Sequence, residues 1–144
     1  MLASSGASFA SSFVWGRLSD RSSRQVLVFA GLGGALAMAA ALGARGLGVA
    51  SHPVVISLIL FGLMTAYHGV RQGRSTYLVD MAPEDLRAAY TAVSNTCVGV
   101  FLLAAGAVAA AIGAVSVPLV LGVFGVMCLA GALWAYGLDE VEDV

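Results

Sequence analysis

Residues 117–138 read VPLVLGVFGVMCLAGALWAYGL and contain no charged side chain. As an α-helix this run rises about 33 Å, enough to cross a hydrocarbon core of about 30 Å. Three more apolar stretches of similar length lie upstream, at residues 26–44, 53–70 and 88–113. All four are rich in Ala, Leu and Gly and lack the alternating pattern of a membrane β-barrel. The sequence therefore predicts an all-α protein, a polytopic bundle with four full transmembrane helices.

The first apolar stretch, residues 2–16, is too short to span. It reaches about 22 Å as a helix, and without a polar flank its first turn of amides would be unsatisfied in lipid. We interpret it as the end of a longer, truncated helix and expect residues 1–144 to form a single membrane domain fragment. Residues 17–25 and 71–87 are then the larger connections, and residues 139–144 form an acidic tail.

The composition agrees with a bilayer environment. The 144 residues are 60% hydrophobic and 10% charged, whereas an average soluble chain is about 25% charged. The net charge is −1 and no lysine occurs, so the chain lacks the basic field that nucleic-acid binding requires. We expect an integral membrane protein that contacts the lipid bilayer and binds no nucleic acid.

No enzyme motif emerges from the sequence. Cys97 and Cys128 lie alone within apolar runs, without metal-ligand spacing. The glycine-rich residues 31–34 follow no strand and have no phosphate-binding context. We therefore predict no catalytic residue, cofactor or metal, and no enzymatic activity.

The arginines predict the orientation. Residues 17–25 contain three arginines, 45–52 one, 71–87 three and 114–116 none. Because cytoplasmic loops carry the excess of positive charge, the first and third connections are expected in the cytoplasm, and the C-terminus with them. We expect the protein in the cell (inner) membrane.

Small residues predict how the helices meet. Gly31, Ala35, Ala39 and Gly43 recur every four residues, and Gly99, Gly106 and Gly113 recur every seven. Such stripes let helix backbones approach closely. The alternative is that a helix rich in Ala and Gly shows such a stripe by chance.

The segment from Gly16 to Leu27, GRLSDRSSRQVL, carries the most specific motif. It resembles the signature loop of the major facilitator superfamily (MFS), which reads roughly G-x-L-[AS]-D-R-x-G-R-[RK]-x-x-L. Ser23 and Gln25 depart from that pattern. The matching residues are Gly16, Leu18, Ser19, Asp20, Arg21, Arg24 and Leu27. The alternative is a plain Arg-rich cytoplasmic loop.

A second stretch, residues 69–90, resembles the family's connection before its second-to-last helix. Together the two resemblances imply the C-terminal portion of an MFS transporter, from the end of helix eight through helix twelve, within a C-terminal six-helix half. They imply transport of a small, unidentified solute by alternating access, with missing N-terminal helices of the same transporter as partners and no activity of the chain alone. The alternative is a small non-transporting helical membrane protein or assembly subunit.

The signature loop suggests a gate. Gly16 permits close approach of two helix ends, and Arg21 and Arg24 hold the loop on the cytoplasmic face. If the first and third connections are adjacent, as the resemblance implies, Asp20 can pair with Arg71 or Arg74 when the inside is closed. The alternative is a solvated surface pair of little energetic weight.

Polar residues within the spans are candidates for the cavity lining, because they are costly in lipid. Thr91, Ser94 and Asn95 lie on neighbouring faces of one predicted helix and can contact either a solute or a facing helix. His68 is a possible proton relay, or an interfacial histidine near the cytoplasmic boundary.

Overall fold

The computed structural model describes residues 14–19, 21–139 and 141, and all regular structure in this part of the chain is helical. Residues 14–19 are helical and are called α1. The longer helices are α2 (Ser23–Gly46), α3 (Pro53–Met81), α4 (Arg87–Gly113) and α5 (Val117–Tyr136). Each of these four is long and apolar enough to cross a membrane. The predicted all-α bundle is confirmed; residues 2–13 of the predicted partial helix lie outside the described residues.

Side-chain caps and prolines set the helix starts. The Ser22 hydroxyl accepts a hydrogen bond from the Gln25 amide at 3.1 Å, and the Ser116 hydroxyl accepts one from the Leu119 amide at 3.4 Å. Pro53 is the first residue of α3. Proline and Ser caps suit a first turn, where the amides lack intrahelical partners.

The connections are shorter than the charge pattern predicts. Helix α3 continues to Met81, so residues 82–86 form the connection to α4, rather than 71–87. Likewise α1 continues to residue 19 and α2 begins at Ser23, rather than leaving 17–25 as a loop. The physical reason is that a long arginine side chain can reach the interface from within a helix, so charge marks the end of the apolar run and not of the helix.

Helix α2 lies between α3 and α5 and supplies more buried residues than any other described helix. Val26 and Ala30 are 0% and 1% exposed, and Trp15 packs with them. Helix α4 has no buried residue along its length and lies at the edge of the bundle. Apart from Trp15 and Val26, the buried hydrophobic residues of the described chain are all alanines, and small side chains let membrane helices pack closely.

Two glycines one turn apart on α3, Gly69 and Gly73, form the contact with α1 and α2. A Cβ atom at Gly69 would lie 2.7 Å from Cε2 of Trp15 and 2.8 Å from Cβ of Ala30. At Gly73 a Cβ would lie 3.0 Å from Cγ1 of Val26. This G-x-x-x-G spacing is a recognised helix-packing signal and is not among the small-residue stripes predicted above.

The small-residue stripes pack only in part. At Gly31 a Cβ would lie 2.9 Å from Cβ of Ala132 on α5, and Ala35 is buried. No described atom lies within 4 Å of a Cβ built at Gly43, Gly99 or Gly106. The first half of the α2 stripe is thus a real helix contact, while most of the α4 stripe meets no neighbour in the described part of the chain.

Candidate functional site

Polar contacts concentrate at one end of the bundle, which we call the arginine end: the end of α1, the start of α2, the α3–α4 connection with the turns flanking it, and residues 137–139. Six of the seven arginines of the chain lie at this end, in residues 17–24 and 71–87. Arg45 lies in the last turn of α2, at the opposite end. The structure thus gathers the two predicted connections at one end, next to the end of α5.

Helix α1 is attached to α3 by two hydrogen bonds. The Trp15 indole Nε1–H donates to the Thr65 carbonyl at 2.8 Å, and the Ser19 hydroxyl donates to Oγ1 of Thr76 at 2.9 Å. Thr76 in turn donates to the Gln72 carbonyl at 3.2 Å. The signature-loop serine therefore joins α1 to the second half of α3.

Arg24 holds the segment that follows α5. Its Nη1 donates to the Leu138 carbonyl at 3.1 Å, and its guanidinium carbon lies 6.0 Å from the ring centroid of Tyr136. The Tyr77 hydroxyl donates to the Asp139 carbonyl at 3.3 Å. Because α2 and α3 each supply one of these donors, the segment is fixed to both helices.

Replacing Arg24 by Gln should release this segment. The change removes a charged hydrogen bond, worth about 1.5–3 kcal/mol, and a cation–π contact worth about 0.5–1 kcal/mol. We expect faster hydrogen exchange at the amides of residues 137 and 138, measured by mass spectrometry in detergent. Arg45→Gln, with the same charge change at the other end of α2, is the control. Equal exchange in both variants would contradict the contact.

Arg74 joins α3 to α4 at the two polar positions predicted for the cavity. Its Nη1 donates to the Ser94 hydroxyl at 3.3 Å, and its Nη2 donates to Oδ1 of Asn95 at 3.2 Å. Arg74 is half-buried and Asn95 is exposed. We call Arg74, Ser94 and Asn95 the Arg74 cluster. It unites residues predicted to have two separate roles, in the gate and in the cavity lining.

Among the described candidates, Thr91, Arg71 and Arg21 make no hydrogen bond to this cluster. Thr91 is exposed and donates back to the Arg87 carbonyl at 2.8 Å within α4. Arg71 and Arg21 are exposed. No described atom lies within 4 Å of a Cβ built at Gly16, so the structure does not show the close approach expected there.

His68 lies within α3, three residues before Arg71. The helix extends thirteen residues beyond it, to Met81, so its place at the cytoplasmic boundary stays a prediction. It is half-buried, and its ring packs edge-on against Tyr67 with 5.6 Å between centroids. Asp20, the acidic partner in the predicted gate, lies outside the described residues, so its pairing with Arg71 or Arg74 stays a prediction.

Comparison with known proteins identifies the family. The sequence matches the model of the Major Facilitator Superfamily over residues 1–144. No curated protein and no solved structure matches the chain.

Proposed function

The chain belongs to the Major Facilitator Superfamily, and from this premise we propose that it is part of a secondary transporter that moves a small solute across the cell membrane by alternating access. The observation that carries the proposal is the family match along the whole of residues 1–144. In such transporters two helix bundles rock against each other around a site near the bilayer midplane. The described helices supply part of one bundle.

The packing of α4 supports a larger assembly. This 27-residue helix has no buried residue, and open space surrounds Gly99 and Gly106 among the described residues. Small residues on an open helix face suit the approach of another helix. We propose that further helices of the same transporter cover part of α4, with lipid around the rest, and that the chain alone is inactive.

The DNA immediately upstream of Met1 provides the first test. We expect an in-frame extension encoding about seven more membrane spans, as the family resemblance implies. Vesicles containing the extended protein should take up a solute found by a thermal-shift screen, while vesicles containing residues 1–144 alone should not. A ribosome-binding site and stop codon just upstream of Met1 would instead favour the alternative, a non-transporting assembly subunit.

We also propose that Asp20 forms the inner gate with Arg71 or Arg74, with the arginine end in the cytoplasm. Ser19, the residue before Asp20 in the sequence, bonds Thr76, two residues after Arg74. This contact brings the signature motif to the part of α3 that carries both arginines. An exposed ion pair contributes about 0–1 kcal/mol, and the upper value would bias a balanced two-state equilibrium about fivefold.

Asp20→Asn in the complete transporter should therefore open the inner side. Cys97 is exposed on α4, two residues after Asn95, and is a native reporter once Cys128 is replaced by Ala. We expect a membrane-impermeant maleimide applied from inside to label Cys97 about fivefold faster, the ratio for a bias of about 1 kcal/mol. Asp80→Asn, which removes an exposed carboxylate of α3, should leave the rate unchanged. Unchanged labelling and transport in Asp20→Asn would reject the gate.

A further inference from the structure

The Arg74 cluster holds a cationic group between neutral partners. Both contacts of the guanidinium, the Ser94 hydroxyl and the Asn95 amide oxygen, are uncharged. Among residues 14–19, 21–139 and 141, no carboxylate pairs with Arg74. The neutral contacts orient the guanidinium without neutralising it, so its charge is available to Asp20 when the proposed inner gate is closed and to an anionic ligand when that gate is open.

The position of the cluster is set back from the connection between its helices. Arg74 precedes the end of α3 by seven residues, and Ser94 follows the start of α4 by the same number. Seven helical residues correspond to about 10 Å. The cluster therefore lies about two turns from the α3–α4 connection and beyond the apolar run that ends at residue 70, a position that suits the inner entrance of the proposed transport path.

The donors left over match an anionic group. A guanidinium has five N–H donors, and the two contacts to Ser94 and Asn95 use one each on Nη1 and Nη2. The remaining donors suit the bidentate recognition of a carboxylate or phosphate. The Ser94 hydroxyl and the Asn95 amide can each add a donor, and Asn95 is exposed.

We propose that the Arg74 cluster binds an anionic group, a carboxylate or a phosphate, and that the solute moved by the proposed transporter carries such a group. The second part rests on the proposed function. The same chemistry is also offered by the phosphate of an anionic lipid head group, so the test must separate a free solute from a lipid.

Equilibrium dialysis of the full chain in phosphatidylcholine nanodiscs tests the site directly. The probes are radiolabelled inorganic phosphate and radiolabelled succinate, at constant ionic strength. We expect saturable binding of one anion per chain, with mutual competition between the probes. Arg74→Gln should weaken binding at least about tenfold, the order of a charge-assisted bidentate contact. Arg45→Gln, which makes the same charge change at the other end of α2, should bind as the unmodified chain does.

A second variant guards against misfolding of Arg74→Gln. Arg74→Lys keeps the positive charge but lacks the planar fork, so we expect binding intermediate between the unmodified chain and Arg74→Gln. Absence of saturable binding to the unmodified chain would overturn the proposal. Equal losses in Arg74→Gln and Arg45→Gln would also overturn it, because they would indicate only a general effect of charge.

Adding phosphatidylglycerol to the nanodiscs separates the two sources. If a free solute is the ligand, phosphatidylglycerol should weaken phosphate binding through surface potential alone, so the effect should disappear at high ionic strength, and spin-labelled lipid should be immobilised equally by the unmodified chain and by Arg74→Gln. Displacement of phosphate by phosphatidylglycerol, with Arg74-dependent immobilisation of spin-labelled lipid, would overturn the solute assignment and identify a lipid head group. Uptake of a neutral solute without anion binding would overturn this inference but not the proposed function. Anion binding without uptake of any solute by the complete protein would overturn the proposed function but leave the anion site in place.

Discussion

Replacing Gly69 by Ala should lower the free energy of unfolding by about 1–3 kcal/mol, the usual cost of overpacking a tight contact. The new Cβ would lie 2.7 Å from the Trp15 ring and 2.8 Å from Cβ of Ala30. Neither neighbour yields easily. The Trp15 ring is held by its hydrogen bond to the Thr65 carbonyl, and the Cβ of Ala30 is fixed to the backbone of α2.

The measurement is unfolding of the purified chain from mild detergent into SDS, followed by circular dichroism. Gly62→Ala is the matched control on the same helix, because no described atom lies within 4 Å of its Cβ position. It should be neutral or stabilising by up to about 1 kcal/mol, through better helix propensity. If both variants unfold alike, Gly69 is not the contact between α1, α2 and α3.

Replacing Gly31 by Leu should separate α2 from α5 and reduce stability by about 1–3 kcal/mol or more. A Cβ at this position would meet Cβ of Ala132 at 2.9 Å and the Cys128 carbonyl oxygen at 3.1 Å. The second of these atoms belongs to the backbone, so a change of side-chain rotamer cannot relieve the clash. The two helices must move apart instead.

Gly43→Leu provides the comparison within the same stripe, since its Cβ position is open. In SDS unfolding, the free energy of unfolding of Gly31→Leu should be well below that of Gly43→Leu. As a second readout, maleimide labelling of the half-buried Cys128 should accelerate in Gly31→Leu only. Equal stability and equal labelling would favour the chance explanation of the stripe over a helix contact.

The existence of four helices was predictable from the long apolar runs. In a bilayer the backbone N–H and C=O groups of such a run find no water, and an α-helix pairs them within the segment. Their ends were harder to predict. Arg71 and Arg74 interrupt the apolar run without interrupting α3, which continues to Met81. Charge and hydropathy therefore located the spans more reliably than the connections.

The Arg74 cluster shows what sequence order concealed. Arg74 and Ser94 each lie ten residues from Glu84, in the middle of the connection 82–86. Once α3 is known to reach Met81, a simple helical hairpin brings the two positions opposite each other. If residues 71–87 form a loop, as the charge pattern predicts, no helical hairpin aligns position 74 with position 94. The gate residues and the cavity residues are then separate predictions.

The contact between Arg24 and the end of α5 was not predictable in the same way. Its partner is the Leu138 carbonyl, and every residue has a carbonyl, so no side-chain pattern reveals the pairing. The G-x-x-x-G spacing of Gly69 and Gly73, in contrast, was visible in the sequence. Backbone partners require the fold, whereas packing glycines can be found by their spacing.

The backbone character of these bonds has a consequence for sequence variation. Arg24 and Tyr77 donate to the backbone carbonyls of Leu138 and Asp139. These two hydrogen bonds therefore do not depend on which side chains stand at positions 138 and 139, and both positions can be substituted without losing them. The number of residues between the end of α5 and these carbonyls, in contrast, is constrained by the two hydrogen bonds. A one-residue deletion there would shift both acceptors out of register, whereas a change of residue type would leave them in place.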